Sequence, residues 1–234
     1  MIFAFLSQFQ VEPVNALVSL ATFVFALITA LTFHEFSHAL VATLSGDPTA
    51  RRMGRLSLHP IAHLDPVGTA MILFAGFGWA KPVPVNPANL RTGERPGMAA
   101  VAFAGPLSNV LMATILSIPI HAGLVTSAFL GFTVFHGGLD DVPGYVIGSV
   151  VFWNLLIAAF NLIPVAPLDG FRVALGILPQ DMATSFARFE PHGPAILMGV
   201  ILFDIMLPGP GILASVISPI LNLLSFVVLG RQLL

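Results

Sequence analysis

Apolar runs separated by short polar stretches dominate this chain, and several are long enough to cross a lipid bilayer. A membrane-spanning helix needs about 20 mostly apolar residues. The first such run extends from about Val14 to Leu44 (VNALVSLATFVFALITALTFHEFSHALVATL), roughly 46 Å of helix at 1.5 Å per residue. Residues 1–12 are apolar but short, and Pro13 separates them, which suits an interfacial lead-in. A second span fits Gly97 to about Pro119, and a third fits Tyr145–Ile163, ended by Pro164 and Pro167. Gly193–Leu207 and Gly211–Leu229 follow, joined by the turn-forming Pro208-Gly209-Pro210. The stretch His121–Gly138 is apolar and suits an interfacial or bundle-packed position. Gly46–Pro96 is rich in Pro, Gly and Arg, with one apolar island at Val67–Ala80 that is too short and glycine-rich for an ordinary span. The pattern predicts an all-α polytopic membrane protein of about five transmembrane helices, with a re-entrant segment after the first. It forms a single membrane-embedded domain over residues 1–234.

Charge supports the re-entrant reading. If Val67–Ala80 dips in and returns, Arg51, Arg52, Arg55, Lys81, Arg91, Arg95, Arg172, Arg188 and Arg231 share one side. These are all nine basic residues. The bias of Lys and Arg toward the cytoplasm then puts the N-terminus outside and the C-terminus in the cytoplasm of a multi-pass cell-membrane protein. A full crossing at residues 67–80 would divide the basic residues between the two sides.

Composition narrows the function classes. Hydrophobic residues make up 56% and charged residues 9%, with a mean hydropathy of +0.94. A soluble domain usually carries about a quarter charged residues, so the bilayer is the solvent here. No cysteine is present, which excludes disulfides and thiolate metal sites. A net charge of −2 is too small to imply a nucleic-acid partner, and no basic run resembles a phosphate footprint, so no nucleic acid is expected.

Against this background the ionisable residues inside apolar runs each need a reason. The first span carries His34-Glu35-Phe36-Ser37-His38. Positions i and i+4 share a helix face, so both imidazoles can bind one ion, and Glu35 can reach a water beside it. Two histidines leave a tetrahedral catalytic zinc site one protein ligand short. Asp169, in Asn161-Leu-Ile-Pro164-Val-Ala-Pro167-Leu168-Asp169-Gly170, is the other intramembrane candidate. The prolines end the helix there, and irregular backbone at membrane depth belongs inside protein or against a wet cavity.

HExxH in one span and NxxPxxPLDG in a later one resemble the site-2 proteases, intramembrane zinc metalloproteases that cut membrane-anchored proteins. The resemblance extends through Asp65-Pro66-Val67-Gly68, Gly78-Trp79-Ala80-Lys81-Pro82-Val83-Pro84 and Ala104-Gly105-Pro106-Leu107-Ser108-Asn109, covering most of residues 30–175. It implies the compact form without PDZ or CBS domains, with a three-span catalytic core over about 14–175. Accessory helices would occupy about 193–230, and a β-hairpin would follow the HExxH helix. It further implies one Zn²⁺ held by His34, His38 and Asp169, with Glu35 catalytic. Relatives often read Asn-Pro where this chain has His59-Pro60, so any role of that asparagine does not transfer.

The expected partners are the bilayer and a membrane-anchored protein substrate; nothing in the pattern specifies an oligomeric state. Asn109 and Asn161 are polar side chains in apolar segments, expected to bind substrate backbone or support the metal ligands. An interhelical hydrogen bond is the equally weighted alternative. His63 is a candidate for the cleft wall. His59 and His63 are also four apart, but Pro60 between them argues against a second metal site. A metal-ion transporter also buries His and Asp at mid-membrane, usually with repeated halves; no such symmetry is visible. A non-catalytic scaffold would not need the full set of ligands and base.

Overall fold

The computed structural model describes residues 8–75, 78–125, 135–206 and 211–233. Among the described residues, five helices are long and apolar enough to cross a membrane: Pro13–Leu44, Glu94–His121, Leu139–Asn161, Gln180–Met206 and Ile212–Leu229. Within these spans and between them the α-helices are α1 Pro13–Leu44, α2 Thr49–Arg52, α3 Pro66–Ala75, α4 Glu94–His121 and α5 Val142–Asn161. They continue with α6 Asp169–Ile177, α7 Gln180–Ala187, α8 Gly193–Met206 and α9 Ile212–Leu229. The chain is a polytopic all-α membrane protein.

The boundaries follow local chemistry. Pro13 opens α1 in the first helical position, where its missing N–H is not needed. Pro96, read from the sequence as an outer limit of the second span, instead lies in the first turn of α4, for the same reason. That helix starts at Glu94, whose negative charge suits the positive end of the helix dipole. Helix α5 stops at Asn161, three residues before Pro164, which disfavours helical backbone in the residue preceding it. The fourth span begins earlier than its apolar run, because α7 leads through a short 3₁₀ turn into α8. The anticipated Pro208-Gly209-Pro210 turn and most of the stretch after His121 lie outside the described residues.

Helices α1, α4 and α5 form the centre. On α1, Ala16, Ala26, Ala30, Ala39 and Ala42 are all buried, and small residues let helix backbones approach closely where no water drives association. Val151, Phe152, Leu155 and Ala159 of α5 pack with Ala113 of α4 and with Leu221 of α9, while Leu197 and Ile201 of α8 join from outside.

The segment between α1 and α4 leaves and returns at one place. Leu64 and Ala80 form an antiparallel bridge, and the Lys81 N–H donates to His63 O at 2.8 Å. Helix α3 lies between these ends, with Ile72 packed against Phe23 and Leu27 of α1. That geometry fits the expected re-entrant shape. The β-hairpin does not form among the described residues, where only the isolated bridge appears. Pro82, Pro84 and Pro87 remove the donors a ladder would need beyond it. The buried Arg55 guanidinium closes the base of the segment, donating to the carbonyls of Ala62, Lys81 and Pro82.

Asp47 ties the end of α1 to the approach to α4. Its Oδ1 accepts from Thr49 Oγ1 (2.6 Å) and Asn89 Nδ2 (2.9 Å), and its Oδ2 accepts from the Asn86 N–H (2.7 Å). Burial pushes the carboxyl up, but the hydrogen bonds from Asn89, Thr49 and Asn86 outweigh it and hold it below its ordinary 3.8. A group depressed on folding stabilises above its unfolded value and loses that contribution as pH falls through the folded one. The thermal midpoint of the wild type should therefore fall as pH drops below about 3.8, more steeply than that of Asp47→Asn. At neutral pH the same variant should lose about 1–3 kcal/mol, because the Asn86 N–H is left facing an amide or unpaired.

Candidate metal centre

The centre is built where α1 and α4 run antiparallel. Ala30, His34 and His38 lie four apart on one face of α1, and Val101, Gly105 and Asn109 lie four apart on the opposing face of α4. His38 Nδ1 lies 2.7 Å from the carbonyl oxygen of Val101, and His34 Nδ1 lies 2.7 Å from Asn109 Oδ1. A carbonyl oxygen only accepts, so His38 carries a hydrogen on Nδ1, and as the neutral imidazole it offers the Nε2 lone pair. Between these two anchors stands Gly105. A Cβ there would fall 2.5 Å from His38 Nε2 and 2.6 Å from His34 Nε2. The missing side chain leaves a cradle in front of both ring nitrogens.

Asp169 reaches the same point from a separate, later helix. It occupies the first residue of α6, and its Oδ2 lies 3.0 Å from His34 Nε2 and 3.2 Å from His38 Nε2. Gly170 allows this approach, since a Cβ at that position would fall 2.3 Å from Leu162 O. The far end of α6 is held to α4 by Arg95, whose Nε donates to Leu175 O at 2.8 Å and whose other nitrogens reach Leu178 O and Gln180. Cationic side chains at a helix C-terminus satisfy carbonyls that have no partner within the helix.

The donor set fits a tetrahedral divalent metal. Ligand atoms bound at about 2.0 Å in a tetrahedron stand about 3.3 Å apart, close to the two nitrogen–oxygen separations here. Asp169 Oδ2 is buried and has no hydrogen-bond partner of acceptable geometry. An imidazole lone pair facing a carboxylate oxygen at these distances is repulsive unless a proton or a metal cation lies between them. His34, His38 and Asp169 form the one group of three metal-ligating side chains found among the described residues.

The remaining residues singled out in the sequence divide. Glu35 is buried beside the pair and interacts electrostatically with His38 and with Arg55. Asn109 is fully buried and touches His34 directly. Asn161 does not join the cluster; its Nδ2 donates to Ile157 O one turn back in α5. His63 is not one of the clustered ligands; it is fully buried, with Nε2 against Ser57 O at 2.6 Å and Nδ1 without a partner, while His59 is exposed. Asn154 was not singled out in the sequence. It is fully buried on α5 and accepts from Asn109 Nδ2 at 2.8 Å. An asparagine within an apolar span was the available signal.

A multi-span helical bundle that brings two imidazoles and a carboxylate to one buried point defines a membrane-embedded metalloprotein. The chain is 42% identical over 176 residues to a Bacillus subtilis (strain 168) protein named "Putative zinc metalloprotease YwhC", covering 73% of this chain and 75% of that protein. The chain belongs to that family of zinc metalloproteases. No family model matches it, and no solved structure matches it significantly.

Proposed function

We propose that this chain is an intramembrane protease of the site-2 type, hydrolysing peptide bonds in or near the transmembrane segments of membrane-anchored proteins. His34, His38 and Asp169 hold one zinc ion and Glu35 is the general base. The observation that carries the reading is the convergence of two lone-pair nitrogens and an unpartnered carboxylate oxygen beside the buried Glu35. Zinc bound there would polarise the scissile carbonyl and acidify an attacking water.

The chain's own residues do the rest. Glu35 takes a proton from the attacking water and delivers it to the leaving amine, acting first as base and then as acid. Asn109 and Val101 keep each imidazole turned so that Nε2 faces the reaction. Two neutral imidazoles and one carboxylate carry a charge of −1, so a divalent ion leaves the site at +1, which favours negative charge developing on the substrate oxygen. A helical substrate hides its carbonyls in internal hydrogen bonds, so it must unwind locally and meet replacement partners. Asn161, half-buried at the last turn of α5, is assigned to the exposed substrate backbone, and His63 to the wall of the cleft.

The bias of basic residues toward the cytoplasm supports a cytoplasmic position for the loop after α1, and with it for the near face of the site. His34 is roughly 15 Å of helix from Leu44, so water needs only a short polar path. Residues 14–175 form the catalytic unit, and α8 and α9 are accessory.

Purified protein in vesicles tests the proposal. The wild type should hold about one zinc per chain and cut a single-pass reporter protein, with activity lost on chelation and restored by zinc. Asp169→Ala should hold little zinc at submicromolar free metal and cut nothing, because two imidazoles alone leave the ion underligated. Zinc transport across the vesicle membrane without any cleavage would sink the protease reading in favour of a transporter.

A further inference from the structure

Behind the metal cluster, away from the reacting atoms, a line of amide contacts crosses the bundle. Asn154 Nδ2 lies 2.8 Å from Val150 O, and Asn154 Oδ1 lies 2.8 Å from Asn109 Nδ2. Asn109 Nδ2 also lies 3.0 Å from Ala30 O, and Asn109 Oδ1 lies 2.7 Å from His34 Nδ1. Both asparagines are fully buried, and the contacts join α5, α4 and α1.

The direction of every hydrogen bond in this line is set by its two backbone carbonyls, which can only accept. The Asn154 atom facing Val150 O must be the amide nitrogen, so its oxygen faces Asn109. The Asn109 atom between Ala30 O and Asn154 must then be a nitrogen, with each of its two hydrogens committed. Its oxygen is left for His34, which must carry a hydrogen on Nδ1 and so presents the Nε2 lone pair to Asp169. The other asparagine of α5, Asn161, makes a contact only within its own helix and plays no part in this chain of constraints.

We propose that Asn154 is a positioning residue of the metal site, which fixes the Asn109 amide and thereby commits His34 to bind through Nε2. The inference rests on the ligand set proposed above. With Asn154 gone, one N–H of Asn109 is left without its partner in a fully buried position. The amide then shifts to recover a partner, and the imidazole it holds loses its fixed orientation. Partners that orient a metal-bound histidine typically change metal affinity by 10–100-fold.

Two variants separate orientation from packing. Asn154→Leu keeps the volume and removes the acceptor. Asn154→Asp, neutral in this apolar setting, keeps both bonds: its O–H donates to Val150 O and its carbonyl accepts from Asn109. Zinc affinity is read by competition with a chelating dye, and folding by the thermal midpoint of the zinc-free protein. Asn154→Leu should bind zinc about 10-fold more weakly while its zinc-free midpoint stays within a few degrees of wild type. Asn154→Asp should bind within about threefold of wild type. Wild-type affinity in Asn154→Leu, or equal losses in both variants, would overturn the assignment.

If Asn154→Leu does not fold, ¹⁵N spectra of histidine-labelled, zinc-free wild type and Asn154→Ala decide the matter, with the His34 signal identified by its loss in His34→Gln. Hydrogen on Nδ1 in wild type that becomes mixed or lost in Asn154→Ala upholds the proposal; hydrogen on Nε2 alone in wild type, or the same His34 signal in both proteins, defeats it. Failure of wild type to bind zinc at all would be a failure of the metal site itself, and these measurements distinguish the two.

Discussion

Glu35→Gln is expected to abolish cleavage of a membrane-anchored reporter while leaving about one zinc per chain in place. Glutamine has nearly the same shape and volume as glutamate, so the packing of α1 and both imidazoles is preserved. It cannot accept the proton of the attacking water or return one to the leaving amine. General acid–base groups contribute about 10²–10⁴-fold, and in the proposed mechanism Glu35 would serve in both directions, so the loss should fall at the upper end of that range. The measurement pairs zinc content with initial rates of cleavage on the same preparation. Undiminished proteolysis by this variant would remove Glu35 from the mechanism. Loss of zinc along with activity would instead place it among the groups that hold the metal.

Gly105→Ala should act in the opposite way, removing the metal from a protein that remains folded. The added Cβ would sit 2.5 Å from His38 Nε2 and 2.6 Å from His34 Nε2, where the ion would lie between the ring nitrogens and α4. Contacts under 3.0 Å force movement, and here neither side can yield easily. The imidazoles are tethered to Val101 O and Asn109, and the new carbon belongs to the backbone of a central helix. Alanine is the better helix former by about 1 kcal/mol, so α4 itself should not be weakened. Zinc content should fall to near zero at micromolar free metal, and cleavage with it, while helicity and elution volume match wild type. Gly199→Ala is the matched control, because a Cβ there meets nothing within 4 Å. A Gly105→Ala protein that keeps its zinc would show that the ion does not bind between α1 and α4.

His34, Glu35 and His38 could be picked out in the sequence because a helix converts a spacing of four into a shared face without help from the rest of the fold. The return of the chain to the place where it leaves, on either side of residues 67–80, was legible in outline from the short apolar island. The internal form of that segment was not: the sequence admitted a β-hairpin, and the structure has a helix, α3, closed by one bridge and by Arg55. That outcome depends on which carbonyls lie near Arg55 after folding. Asn161 and Asn109 looked equivalent in the sequence, as polar side chains in apolar runs. Only Asn109 faces α1; Asn161 satisfies its donor within its own helix. Asn154 gave a weaker signal still, because its partner sits on another span.

By itself, the sequence determined the solvent of this protein, the number of its spans and the local pairing of its two imidazoles. Each of these depends only on composition, run length or helical periodicity. The tertiary structure decided which distant groups complete the site. Asp169 meets the histidines because Gly170 lets α6 approach Leu162 and Arg95 holds its far end, and the cradle exists because Gly105 lands opposite the rings. Contacts between separate helices depend on how their surfaces interlock, and no spacing along one chain segment encodes that.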